Sequence, residues 1–341
     1  MRQKAKSLAA IAACWLIAAS ALNTAVAEEV TLRLSYFGGQ KGTTYAKGIL
    51  PWVEAINKEG AGVLRIDPYP GGALVRSPRG QVKALTDGVA DIAFVVFSYT
   101  PGRFTDTEVL ELPTLYDNLR ESSGVIRALY DKVMLKGFED FYVPMIATTY
   151  PYNFHTTRPV KSIADLKGMK IRAGGPVAGA ALRALGAVPV GMPMPAVAEN
   201  ISKGVLDGVA SDWAVMYIYR IQEVAQNHYM QLFSTVPLGL MMTRKKFDSL
   251  PKKAQDLIAK YSGKWIEDRF VTETAKAQET LIAKNKATPG NTLVYPSEAD
   301  KAAYDKLMQG VVQQWAGRDD RRKQTLEFVR TELKKIRAAA K

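Results

Sequence analysis

Apolar and polar positions along this chain follow two rhythms, and the switches between them mark its elements. Val30 to Ser35 reads VTLRLS, a period-two strand opening onto a Tyr36-Phe37-Gly38-Gly39 turn. Thr44 to Asn57 sets Ile49, Trp52, Val53 and Ile56 on one helical face, with Pro51 predicting a kink or a later start. Val63 to Tyr69 predicts a second strand, and Ser77 to Leu85 a helix stopped by Gly88 in a left-handed cap. Asp91 to Val96 is apolar almost throughout, as in a strand covered on both faces of a parallel sheet. This alternation predicts a doubly wound α/β lobe.

The same grammar returns downstream. Gly88-Val89-Ala90-Asp91 is echoed by Gly204-Val205-Leu206-Asp207, each after a helical pattern and before an apolar strand. A second lobe is predicted from the strand Tyr142 to Thr149, a strand ending at Arg172, a helix over Val177 to Leu185, and a strand over Val209 to Ala214. Leu238 to Thr243 then returns toward the first lobe. A long helical pattern follows from Leu250-Pro251 to about Lys286, longer than one lobe needs and so expected to lie across both. Pro289-Gly290 breaks it, and further helices start at Pro296-Ser297-Glu298. The predicted division is 28–149 with 238–277 for lobe I and 150–237 with 278–341 for lobe II, which leaves the Tyr142–Thr149 strand at their junction.

The chain's beginning changes the picture. Arg2, Lys4 and Lys6 precede an apolar run from Leu8 to Leu22 and a small-residue site, Ala25-Val26-Ala27, which is the pattern of an export signal at 1–27 cleaved after Ala27. Lipidation at Cys14 is the competing reading, but the apolar run continues well past that cysteine. Cys14 is the only cysteine, so the mature chain forms no disulfide and has no thiolate chemistry, consistent with a periplasmic domain held by its core. The formal charge of +13 falls to +10 without the signal. Those charges are spread along helices, which points to a solvated surface rather than a nucleic-acid partner.

Candidate chemistry concentrates in Ser162 to Pro176, SIADLKGMKIRAGGP. Ser162 and Asp165 form a capping start, and a short strand delivers Arg172 to its carboxyl end just before a helix, where open α/β sheets bind ligands. An arginine there offers a planar fork for an organic carboxylate, although pairing with a structural acid is the alternative. The only histidines, His155 and His228, are far apart in sequence and lack an acidic partner at metal-ligand spacing. No nucleophile–base set and no cofactor motif is found, so neither an enzyme nor a bound metal or cofactor is expected.

Taken together, the leader, YPGGAL, VKALTDGVADIAF, RPVKSIADLKGMKIR and a G-x-x-D-G ahead of the long helix resemble the DctP family, the solute receptors of TRAP transporters. The resemblance implies a two-lobed periplasmic-binding-protein (Venus flytrap) fold with a long helix spanning both lobes. It further implies an organic acid clamped in the cleft by a bidentate salt bridge to Arg172, and delivery to small and large membrane subunits. A monomer is the default.

Departures from the family's sugar-acid branch run in one direction. A frequent second basic residue is Tyr152 here, the first turn carries Tyr36 and Phe37, and a position that can be acidic is Val95 or Val96. A frequent aromatic position falls at about Met194, and Ser211, Asp212 and Trp213 stand in the segment that is often Q-E-N-P. Phe97 and Gly175 complete the candidate set, with core filling as the plain alternative for the aromatic residues and Met194. These changes favour an aromatic or otherwise apolar monocarboxylate over sialic-acid-like ligands. Small hydroxy or keto acids, a signalling receptor, and an exported enzyme using Asp212 and His155 are the alternatives.

Overall fold

The computed structural model describes residues 29–339, so the expected export signal and Cys14 lie outside the described residues. Two sheets organise the chain. The first has the order β2-β1-β3-β10-β4, from β1 (Val30–Ser35), β2 (Leu64–Tyr69), β3 (Ile92–Val96), β4 (Phe141–Thr148) and β10 (Pro237–Thr243). β1 pairs in parallel with β2 and β3, whereas β10 runs antiparallel to β3 and β4. The second sheet, β11-β9-β5-β8-β6-β7, uses β5 (Asn153–Thr156), β6 (Lys170–Ala173), β7 (Val188–Gly191), β8 (Gly208–Ser211), β9 (Asn227–Tyr229) and β11 (Thr292–Val294). The chain therefore crosses between sheets after β4 and returns after β9.

The repeated glycine–aspartate step has one physical job in both lobes. Gly88 and Gly204 each adopt φ +72, the left-handed conformation that ends a helix without steric cost to glycine. Each following aspartate then pins the neighbouring parallel strand: Asp91 Oδ2 accepts from Arg33 N at 2.9 Å, and Asp207 Oδ2 from Lys170 N at 2.7 Å. The backbone reciprocates, Asp91 N donating to Arg33 O at 3.0 Å and Asp207 N to Lys170 O at 2.8 Å. The two lobes thus start their central strands with the same device.

Three sequence expectations are corrected. The Tyr142–Thr149 strand pairs with β10 in the first sheet and so does not found the second lobe. The pattern from 250 to 286 is two helices, Lys252–Tyr261 and Lys264–Lys286, because Gly263 at φ +62 breaks the helical backbone between them. The last helix, Asp320–Ala339, was expected with lobe II. It packs instead on helix Leu119–Asp131, burying Leu326, Val329 and Leu333 in one core with Val125, Ile126 and Leu129 of the first lobe. Three such side chains are each worth ~2 kcal/mol of burial, and Arg337 adds hydrogen bonds to Glu121 at 3.0 and 2.8 Å.

Helix Lys264–Lys286 is fastened to both lobes. On the first, Glu267 accepts from Arg127 Nε at 3.0 Å and from Ile146 N of β4 at 2.8 Å, and Phe270 lies so close to Gly48 that a Cβ there would come within 3.3 Å of its ring. On the second, Gln278 Oε1 accepts from Trp213 N at 3.0 Å, and Asn285 Nδ2 donates to Tyr217 Oη at 3.0 Å. Glu267→Ala should therefore strand both Arg127 and the Ile146 N–H, with an expected loss of about 2 kcal/mol in urea unfolding. An unchanged unfolding midpoint would show that the helix is held by apolar packing alone.

Candidate functional site

Where the carboxyl ends of β1, β3, β6 and β8 approach one another, the two lobes line a partly open cavity of about 60 Å³. A buried water needs roughly 10–15 Å³ in such a measure, so the space holds several waters or one compact molecule. Of the sequence candidates, Tyr36, Phe37, Val96, Tyr152, Met194 and Asp212 line it. A larger hollow of about 250 Å³ behind the lobe junction, between Thr114, Gln231 and Lys301, receives none of them.

The first lobe supplies an aromatic floor. Tyr36 and Phe37 follow β1 directly, and both pack on Phe94 of β3, with ring centroids 5.1 and 5.6 Å apart. Gly38 is required here, since a Cβ would come within 2.7 Å of the Tyr36 hydroxyl. Burial holds the Tyr36 and Tyr152 phenols protonated far above the usual tyrosine range. Neither therefore supplies an anion to this cleft.

Arg172 is buried at the cavity's edge, 3% exposed, and is held from two sides. Its Nε donates to Met192 O at 2.8 Å and its Nη2 to Tyr99 Oη at 2.9 Å. Among the described residues no carboxylate lies within ion-pairing distance of it, so the structural-acid alternative has no partner to offer. The Gly174-Gly175 step gives the guanidinium room. A Cβ at Gly174 would sit 3.0 Å from Nη1, and one at Gly175 would meet the Glu111 carboxylate at 3.1 Å and Ser98 at 3.2 Å.

Glu111 was not found from the sequence, where it is one acid within an apolar stretch. It reaches the second lobe from the short helix Thr105–Glu111, and its Oε1 has no hydrogen-bond partner. Burial first, then the nearby Glu108 charge, pushes its carboxyl up to about 8, against the opposing pulls of Ser98 and Arg172. At neutral pH it is mostly uncharged and does little to compensate Arg172. Asp212 is likewise pushed up by burial, to about 7, although backbone N–H groups at the start of helix Trp213–Ile218 oppose the shift; Val215 N donates to its Oδ1 at 2.8 Å.

Four candidates lie elsewhere. Phe97 turns into the first-lobe core, its ring centroid 5.1 Å from Phe104 and 5.0 Å from Phe138. Trp213 and Ser211 belong to the second-lobe core around a histidine pair that is distant in sequence but joined in space. His155 and His228 share an Nδ1–Nδ1 hydrogen bond of 2.8 Å, and His155 Nε2 bonds to Ser211 O at 3.1 Å. Trp213 packs edge-on against both rings at 4.8 and 4.5 Å. Burial keeps both imidazoles neutral, His228 down to about 4, and His155 is committed to this core rather than to Asp212. Gly175 serves the Glu111 contact. Tyr99 and Tyr219 line the cavity unannounced by any motif. Phe94 also lines it, and it closes VKALTDGVADIAF without having been a site candidate.

Two α/β lobes joined by crossing strands, with a buried guanidinium at the cavity between them, define a solute receptor of the periplasmic-binding-protein class. The chain belongs to the bacterial extracellular solute-binding proteins, family 7, DctP, whose profile matches residues 36–318, and it is a TRAP-type receptor. It is similar to the C4-dicarboxylate-binding periplasmic protein DctP of Rhodobacter capsulatus, 22% identical over 89% of this chain and 93% of that one. Among solved structures, it resembles a marine metagenome TRAP solute binding protein specific for aromatic acid ligands, in complex with metahydroxyphenylacetate. The TM-score is 0.84 and the identity 27%, covering 90% of this chain and 99% of that chain. A TRAP solute binding protein from Rhodoferax ferrireducens T118, in complex with copurified benzoate, gives TM-score 0.83 and 27% identity over 92% of this chain and 100% of that chain. No helix among the described residues is long and apolar enough to cross a membrane.

The buried carboxyls set a pH dependence. Glu111 keeps its proton in the fold but loses it near 4.5 when exposed, so stability declines as pH rises from about 4.5 through about 8. Asp212 contributes in the same direction. Glu111→Gln should remove its share: melting temperatures of variant and parent should agree near about pH 5 and diverge, the variant higher, toward about pH 9. Parallel curves would mean that Glu111 ionises in the folded protein without cost.

Proposed function

We propose that this protein is the periplasmic receptor of a TRAP transporter for a compact monocarboxylate with an aromatic or otherwise apolar body. The observation that carries this reading is Arg172, a buried guanidinium with no acidic partner within ion-pairing distance among the described residues. A buried charge of this kind is costly unless an opposite charge meets it, and a ligand carboxylate is the matching group. One cation beside the cavity, held by Tyr99 of its wall, calls for one carboxylate. Phe37, Phe94, Val96 and Met194 provide contact for an apolar body, while Thr44, Thr149, Thr274, Asp212 and four tyrosines of the same lining can receive a polar substituent on it. The aromatic acids bound by the two similar receptors support the same class.

In this reading the ligand touches both lobes only when they are together, so binding shifts the equilibrium toward the closed form. The export signal at 1–27 would be removed after Ala27, and the loaded receptor would hand its cargo to the small and large membrane subunits. The bound acid leaves unchanged.

A thermal-shift screen with benzoate, hydroxybenzoates, mandelate, short keto acids, succinate and a sugar acid tests the class directly. Aromatic monocarboxylates are expected to raise the melting temperature most, and a larger rise with succinate or the sugar acid would overturn the apolar reading. Arg172→Ala should weaken the best ligand by about 100-fold or more, and Arg172→Lys should not restore it, because an ammonium lacks the planar fork. Affinity within a few-fold of the parent in Arg172→Ala would remove the salt bridge from the account.

A further inference from the structure

Tyr99 closes the short helix Phe97–Tyr99 at the end of β3, and its ring forms part of the cavity wall. Its hydroxyl oxygen receives two hydrogen bonds, both from the other lobe: Arg172 Nη2 at 2.9 Å and Met194 N at 3.1 Å. With two N–H groups already directed at the oxygen, the hydroxyl is left with its own proton to give. Among the described residues no acceptor stands within hydrogen-bond distance of that proton.

The arginine is similarly committed on one edge. Nε is spent on Met192 O and one Nη2 hydrogen on Tyr99, which leaves the Nη1 hydrogens and the second on Nη2. The free O–H of Tyr99 therefore stands 2.9 Å from an arginine nitrogen that still has a hydrogen to donate. Two adjacent donors, one charged and one neutral and one from each lobe, match the two oxygens of a single carboxylate.

We infer that Tyr99 is a specificity-determining residue of this receptor: its O–H donates to one oxygen of the ligand carboxylate while Arg172 holds the other, and its oxygen seats the guanidinium. This deepens the carboxylate reading proposed above and rests on it. The carboxylate becomes the pin between the lobes, and a ligand with a neutral hydroxyl in its place keeps one contact at most and loses the charge. The charged or titratable groups around Tyr99 are Arg172, Tyr152 and Tyr219, with Asp212 beside Tyr152 and Glu111 beside Arg172.

Calorimetric titration of benzoate into the parent and Tyr99→Phe tests the assignment. The variant keeps the ring, so its ligand-free melting temperature should stay within a few degrees while benzoate affinity falls about 10- to 100-fold. A ring-fluorinated tyrosine at position 99 separates donating from seating, because fluorination brings phenol ionisation into the working pH range and a phenolate accepts but cannot donate. Its benzoate affinity should match the parent at low pH and collapse as the phenol ionises, measured against the parent's own curve to remove Glu111 and Asp212. Affinity within about three-fold of the parent in Tyr99→Phe, or full binding by the ionised fluorotyrosine, overturns the role of Tyr99 and leaves the receptor reading standing. A parent protein that binds none of the carboxylates overturns both.

Discussion

An arginine taken out of water without a counter-charge is the constraint around which this molecule is arranged. Arg172 is fixed by a backbone carbonyl of its own lobe and a phenol of the other, neither of which neutralises it. Around it the chain avoids adding negative charge. The nearest acid, Glu111, is buried deeply enough to stay mostly protonated, and Asp212 has its charge turned toward the backbone of a helix start. The glycines beside Arg172 yield their space to the guanidinium and to Glu111. The result is a site with one unmet electrostatic need.

Much of this was legible from residue order, and the rest was hidden for definable reasons. Strand ends and turns are written locally, so the sequence could single out Arg172 at a strand end and Tyr36 and Phe37 in a turn, and Tyr36, Phe37, Val96, Tyr152 and Met194 line the cavity. The repeated glycine–aspartate step was also visible, because a left-handed cap needs glycine wherever it occurs. Phe97 was misplaced because the chain leaves β3 into a short helix there, and the side-chain alternation that assigns one face or the other ends with the strand. Tyr99, two residues on, gains the position that Phe97 was expected to hold.

Pairings between distant segments left no local mark. His155 and His228 meet because β5 lies beside β9, and that contact draws Trp213 into the same core. Glu111 matters only because a helix of the other lobe, Pro176–Ala184, starts against it. The last helix carries an apolar stripe whose partner its periodicity does not name, and its ion pairs with Asp106, Glu108 and Glu121 fasten it to the first lobe. These are questions of topology, which periodicity does not answer.

The small volume between the lobes also bears on time. A molecule gripped from both sides must break contacts with two walls to leave, so parting of the lobes speeds its escape. Differences between ligands would then appear as differences in residence, set by how long each one keeps the lobes joined. The more firmly a ligand joins the two walls, the longer it stays.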